Sequence, residues 1–159
     1  MIERTLILIK PDGVARALVG RIMSKFEDVG LKLVGMKMKW ADREFAKTHY
    51  KAHVGKPFYQ PLEDFLVSGP VVAMALEGPH AVEIVRKMVG GTEPRSSPPG
   101  TIRGDFALHS YPFADAKKVS IMNLIHASGT SDEAKIEINI WFKPEELHTY
   151  KVTHEVYTH

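Results

Sequence analysis

The residue with the clearest chemical potential is His126, in the run Asn123-Leu124-Ile125-His126-Ala127-Ser128. It follows two apolar residues that read as a strand end, and it enters a turn of small residues, Ala127-Ser128-Gly129-Thr130. An imidazole at such a mouth is presented with one ring nitrogen free. Glu137, at the start of the apolar run Ile138-Asn139-Ile140-Trp141-Phe142, can take the other nitrogen and fix the tautomer. Three cations sit beside turn residues or on a helical pattern: Lys10 in Lys-Pro-Asp-Gly, Arg86, and Arg103 in Thr-Ile-Arg-Gly-Asp. A nucleophilic base, an orienting acid and separated phosphate-matching cations spell phosphoryl transfer through the histidine.

Each of these residues also has a plain structural reading. Lys-Pro-Asp-Gly is a turn whether or not it binds a ligand. Arg103 can pair with Asp105 across its own turn, although the hydroxyls of Thr92 and Thr101 and the charge of Arg86 favour an anion site. His148, His154 and His159 fall in a polar tail, and His49 and His53 read as surface-helix residues. Phe58 and Tyr59, between Pro57 and Pro61, read as half-buried helix residues or as a face on which a base stacks. No Gly-x-x-x-x-Gly-Lys loop and no Gly-x-Gly-x-x-Gly run occurs, so a bound nucleotide is not held by a P-loop. No metal-ligand spacing stands out, and any magnesium arrives on phosphates.

The elements that must position these groups follow from hydrophobic period. Residues 5–9 and 70–76 are short apolar runs typical of strands buried on both faces. Residues 31–40 alternate as a half-exposed strand, with Leu31, Leu33 and Gly35 set against Lys32, then Met36, Met38 and Trp40 against Lys37 and Lys39. Helices are expected over 14–26, stopped at Gly30, and over 43–53, 57–66, 80–88 and 132–142. A last strand lies near Leu124-Ile125, residues 92–104 form a long Pro/Ser/Gly-rich loop, and 143–159 form an irregular tail around the domain or a neighbour. The order predicts an α/β protein of the α+β kind. It is a ferredoxin-like sandwich, a four-stranded antiparallel sheet covered by helices that return to one face.

The chain has 159 residues, a formal charge of +2 and no cysteine, which fits one soluble cytoplasmic domain without disulfides. Near-balanced charge argues against coating a polyanion, and the apolar runs are too short to span a membrane.

Seven collinear motifs resemble nucleoside diphosphate kinases: Ile9-Lys10-Pro11-Asp12-Gly13, His49-Tyr50, Lys56-Pro57-Phe58-Tyr59, Ser68-Gly69-Pro70-Val71-Val72, Gly100-Thr101-Ile102-Arg103-Gly104-Asp105-Phe106, Asn123 to Ser128, and Trp141-Phe142-Lys143-Pro144-Glu145-Glu146-Leu147. The resemblance implies ping-pong transfer of the γ-phosphoryl of a nucleoside triphosphate, typically ATP, to a nucleoside diphosphate through a pros-phosphohistidine at His126. Base and sugar tolerance is broad. By the same resemblance Lys10, Tyr50, Arg86, Thr92, Arg103 and Asn123 contact phosphates and sugar, Phe58 and Leu62 flank the base, and Glu137 with Ser128 orients the histidine. Mg²⁺ is carried by the nucleotide phosphates and has no direct protein ligand. The partners implied are nucleoside di- and triphosphates and further copies of the chain, a homo-oligomer expected to be a hexamer, with residues 92–104 at its trimer contacts. No membrane and no specific nucleic acid is expected.

Two departures stand out. The histidine turn reads His126-Ala127-Ser128-Gly129-Thr130 where the family's usual pattern is His-Gly-Ser-Asp-Ser. Residues 109–121 make the chain roughly ten residues longer than the common form, as in archaeal versions. Two other functions compete. A histidine phosphatase carries an early Arg-His-Gly, which is absent here. A catalytically silent nucleotide- or RNA-binding ferredoxin-like module would need an aromatic platform on the central strands, which read Leu6-Ile7-Leu8-Ile9 and Val71-Val72-Ala73-Met74.

Overall fold

The apolar run near the amino terminus becomes a central strand, and the rest of the fold is arranged to bury it. The computed structural model describes residues 1–159. Its elements are β1 (Ile2–Ile9), α1 (Pro11–Ala15), α2 (Val19–Asp28), β2 (Lys32–Lys39), α3 (Arg43–His49), α4 (Tyr59–Leu66), β3 (Val71–Pro79), α5 (Ala81–Val89), α6 (Ile102–Phe106), α7 (Tyr111–Lys117), β4 (Ile125–Ala127), α8 (Ser131–Trp141) and α9 (Glu155–Thr158). One sheet runs in the order β2-β3-β1-β4, and every neighbouring pair is antiparallel. This is the ferredoxin-like arrangement expected.

Helices cover both faces of the sheet, not one. Ile7 and Ile9 pack with Ile22 and Phe26 of α2 and Val85 of α5. Leu6 and Leu8 point the other way, toward Ala46 of α3, Leu66 of α4, and Ile138 and Trp141 of α8. Alternation along a strand sends successive side chains to opposite faces, so an unbroken apolar run requires cover on both. All four of these β1 residues are fully buried. With both faces occupied, the sheet offers no surface on which RNA bases could stack, and the binding-module reading loses its platform.

The expected single helix over 14–26 is two helices, α1 and α2, separated where Ala17 adopts a φ of 55°. Residues 92–104 hold a 3₁₀ turn and the start of α6, and residues 109–121 hold α7. Strand β2 departs most from the expected faces. A bulge between Leu33 and Gly35 changes its register, so Lys32 is buried while Met36 and Met38 stay 52% and 63% exposed. The ammonium groups of the alternating lysines lie over aromatic rings, Lys37 over Phe142 and Lys39 over Phe45.

The tail clasps this irregular strand of its own domain. His148 N–H donates to Val34 O at 2.7 Å, and the Tyr150 hydroxyl donates to Leu33 O. Lys32 Nζ meets Glu77 Oε1 at 2.9 Å, Tyr150 O at 2.9 Å and Glu155 Oε1 at 3.0 Å. The bond to Glu77, then that to Glu155, holds the ammonium above the ordinary lysine range. Lys32→Ala should leave Glu77 paired with Arg4 alone and release the tail. We expect a loss of about 2 kcal/mol, below the usual cost of breaking a buried pair because Arg4 remains. Urea unfolding would register this as a lower midpoint at unchanged slope.

Candidate active site

The site is built around one strained residue. Leu124 has a φ of 71°, and Ile125 N–H donates back to Asn123 O at 2.8 Å, which makes a tight three-residue turn just before β4. A branched apolar side chain disfavours positive φ, so neighbouring groups must impose it. Asp12 Oδ2 accepts from Leu124 N–H at 3.1 Å, and Lys10 N–H donates to Leu124 O at 2.8 Å. Arg103 clamps the turn from outside, with Nε on Asn123 O at 3.1 Å and an NH₂ on Ile125 O at 2.6 Å. Its other terminal nitrogen donates to Gly90 O at 3.2 Å and Gly91 O at 3.0 Å. Four of the five guanidinium donors are thereby engaged, and one N–H remains. Asp105, the partner that the plain reading gave Arg103, instead pairs with Lys25 and accepts from Gly100 N–H.

This turn hands His126 to the middle of β4. The His126 Nε2 lies 2.9 Å from Glu137 Oε2, and the same oxygen accepts from Ser128 Oγ at 2.6 Å. A carboxylate at Nε2 places the ring proton there and leaves the Nδ1 lone pair available. Burial opposes charge on Glu137, yet the bonds from His126 and Ser128 outweigh it and hold the carboxyl below its ordinary value. Ala127 lies in the strand and needs no positive φ.

His49, expected on a surface helix, packs edge-to-face against His126 with ring centroids 5.1 Å apart. Its Nδ1 accepts from Trp141 Nε1 at 3.2 Å, and its Nε2 is buried without a partner. Burial, then the neighbouring His126, lowers its pKa to about 3, so it is a neutral brace. Sequence separation hid it: His49 and Trp141 lie 92 residues apart.

The cations converge on the same cleft. A cavity of about 420 Å³ is lined by His126 together with Lys10, Tyr50, His53, Arg86, Thr92, Arg103 and Asn123. Lys10 Nζ donates to Asn123 Oδ1 at 2.8 Å, and Asn123 Nδ2 donates to Thr92 O at 2.8 Å. Burial, then the charge of Arg103, lowers Lys10 to about 8. Burial, then Arg86, lowers Arg103 to about 10, and it stays charged at neutral pH. Asp12 moves the opposite way, raised by burial against the pull of Lys10. Arg86 is exposed and donates to no protein group, and Tyr50 is buried with its hydroxyl pKa raised by burial. The residues expected to meet substrate, including Leu62 and Phe58 at the apolar end described next, line this cleft or its extension, while Glu137 and Ser128 stand behind His126 and line neither.

The extension is a second cavity of about 630 Å³ that shares Lys10, Leu62, Thr92 and Asn123 with the first. Phe58 lies on it and is 53% exposed. Together the two cavities form one elongated cleft, polar at His126 and apolar at Phe58. Its shape suits an anion at one end and a flat apolar body at the other.

His53, also read as a surface residue, lines the polar end. So does Glu133, whose Oε2 accepts from Gly129 N–H at 2.9 Å. A Cβ on Gly129 would meet that oxygen at 2.5 Å. The carboxylate absent at position 129 is therefore replaced in space by one from the first turn of α8. Sequence offered one signal for this, the Thr130-x-x-Glu133 spacing of a helix start, which points to a cap and not to a cleft.

Comparison with known proteins follows this geometry. The family described as nucleoside diphosphate kinase matches residues 3–147. The nucleoside diphosphate kinase of Pyrococcus furiosus is 53% identical over 94% of this chain and 88% of its own. That of Pyrococcus horikoshii is 55% identical over 93% and 90%. A transition-state mimic of the Borrelia burgdorferi enzyme with vanadate and ADP superposes with a TM-score of 0.95 at 42% identity, covering 99% of this chain and 96% of that one. A Halobacterium salinarum nucleoside diphosphate kinase in complex with CDP gives a TM-score of 0.88 at 39% identity, covering 99% and 98%. The chain belongs to the nucleoside diphosphate kinase family, enzymes of the phosphotransferase class.

Proposed function

We propose that this enzyme moves the γ-phosphoryl of a nucleoside triphosphate to a nucleoside diphosphate in two steps through the pros nitrogen of His126. The observation that carries the reading is the His126–Glu137 pair, which ties down Nε2 and leaves Nδ1 free in a cationic cleft. In the first step the Nδ1 lone pair attacks γ-phosphorus. An N–P bond forms, the P–O bond to the β-phosphate breaks, and the electron pair leaves on the nucleoside diphosphate. The imidazole gains positive character, which Glu137 offsets through the Nε2 proton. In the second step a β-phosphate oxygen of the acceptor attacks phosphorus and the N–P bond breaks, restoring His126.

The remaining roles follow from position. Lys10 gives one N–H to Asn123 and keeps two for phosphate oxygens. Arg103 contributes its one unengaged N–H, and Arg86 its whole fork. These fixed charges offset the charge on the equatorial oxygens as the phosphoryl passes. Tyr50, Thr92 and Asn123 serve phosphates and sugar, and Ser128 steadies Glu137. Phe58 and Leu62 flank the base, and stacking does not read base edges, so base tolerance is broad. Magnesium would be carried by the nucleotide phosphates as part of the substrate. The chain acts in the cytoplasm and assembles as a homohexamer; Met36, Met38 and Trp40, exposed at the outer strand β2, supply apolar surface for contact between copies. No helix is long and apolar enough to cross a membrane.

Incubation with γ-labelled ATP and magnesium, without acceptor, should give an acid-labile, base-stable label that chases onto GDP or CDP. His126→Ala should take no label and still bind ADP; label in that variant would displace His126 as the nucleophile. Glu137→Gln removes a charge-assisted hydrogen bond, and steady-state kinetics should show kcat down about 10- to 100-fold, well short of the loss in His126→Ala. Binding of ADP should weaken as pH rises through about 8, because Lys10 loses its proton there and phosphate favours the charged form. Titration calorimetry at several pH values would show that dependence, and Lys10→Met should abolish it.

A further inference from the structure

The polar end of the cleft is lined by three cations, Lys10, Arg86 and Arg103, and by one acidic side chain, Glu133. A carboxylate on the wall of an anion site works against the anion, so its presence there calls for a reason. Glu137 does not share this position, because it stands behind His126 and gives Oε2 to the His126 ring and to Ser128. Glu133 is exposed, and no lysine or arginine of the chain pairs with it. Its one side-chain bond is Oε2 accepting from Gly129 N–H at 2.9 Å, which leaves Oε1 for water or a ligand.

Local features aim this carboxylate into the cleft. Thr130 Oγ1 accepts from Glu133 N–H at 3.1 Å and starts α8, which sets the backbone of residue 133 beside the mouth. Gly129, itself on the cleft wall, then draws the side chain back over the turn that follows His126. The fit is close, since a Cβ on Gly129 would meet Glu133 Oε2 at 2.5 Å. Capping alone does not require the charge, because an amide oxygen would accept the Gly129 N–H equally well. The helix dipole does not require it either, because Asp132 already places a carboxylate in the first turn of α8.

We propose that Glu133 is a specificity-determining residue, which makes the cleft select the magnesium complex of a nucleotide over the free polyphosphate. This rests on the nucleotide reading of the cleft given above. A free diphosphate presents more negative charge to the carboxylate than its magnesium complex does, so repulsion falls harder on the free form. Magnesium held by phosphates keeps several of its waters, and such waters donate to carboxylate oxygens. Lys10, Arg86 and Arg103 attract both forms and the free one more strongly. Glu133 is the one charged group of the polar wall that favours the complex.

The test is calorimetric binding of ADP to the full chain, with magnesium in excess and with the metal removed by EDTA, read as the ratio of the two dissociation constants. Glu133→Gln keeps an acceptor for Gly129 and removes the charge. It should lower the preference for the magnesium complex about fivefold, chiefly by tightening free ADP, the scale of a unit charge several ångströms away at a solvated mouth. Gly129→Ala keeps the charge but pushes the carboxylate aside, and should lower the preference in the same direction. Asp132→Asn removes an equal charge from a side chain 90% exposed on the same turn, and should leave the ratio unchanged. An unchanged ratio in Glu133→Gln overturns the proposal and makes Glu133 a helix cap only. An equal fall in Asp132→Asn also overturns it, because net charge and not the placement of Glu133 would then set the ratio. If wild type binds inorganic pyrophosphate but no ADP in either condition, the nucleotide reading of the cleft fails, and this proposal with it.

Discussion

The cleft depends on the buried guanidinium of Arg103 more than on any other group. It joins the end of α5, through the Gly90 and Gly91 carbonyls, to the strained turn at Leu124, through the carbonyls of Asn123 and Ile125. Asn123 O also accepts from Ile125 N–H and Gly91 O from Ser97 Oγ, so at these two carbonyls the guanidinium adds a second donor. Because the clamp spends four donors on backbone, Arg103 is first an architectural residue and only with its last N–H a ligand group. Asp12 completes the clamp from the other side by taking the Leu124 N–H. The positive φ at Leu124 persists because groups on both sides require it, and it lets Asn123 face Lys10 while His126 faces Glu137.

Concentrating Lys10, Arg86 and Arg103 near one histidine is unfavourable in an empty protein. The lowered pKa values of Lys10 and Arg103 record that cost, with burial first and mutual repulsion second. His49 adds no further charge, because burial keeps it neutral beside His126. A polyphosphate reverses the balance: it brings the negative charge that the cleft lacks and restores full charge to Lys10. The same preorganisation that destabilises the empty site is what makes it selective for an anion.

The sequence made the chemistry more legible than the architecture around it. His126, Glu137, Lys10 and the arginines stood out because their residue types have few structural uses at turns and strand ends. β1 and β3 were legible because unbroken β-branched and apolar runs have few other homes. The double-sided helix cover was implied by those same runs, yet strand order alone suggested one covered face. The faces of β2 depart from the expected ones because a one-residue bulge at Val34 inverts alternation, and the adjacent Gly35 is its one local mark. His49 and His53 were misread because neutrality and burial come from partners distant in sequence, such as Trp141.

The turn after His126 illustrates how a local departure can be absorbed by a neighbour. Read along the chain, Gly129 removes a carboxylate from the mouth of the site. In space, the missing side chain leaves room for Glu133, whose Oε2 occupies the volume that a Cβ at 129 would need. Glu133 is positioned by the start of α8, where Thr130 Oγ1 accepts the Glu133 N–H at 3.1 Å. Its carboxylate then returns to accept from Gly129 N–H, a near relative of the capping box shifted by one residue. A glycine and a glutamate four positions apart thus act as one unit. Restoring a side chain at 129 would displace the carboxylate and not add a second one, so the two positions are coupled by sterics as well as by charge.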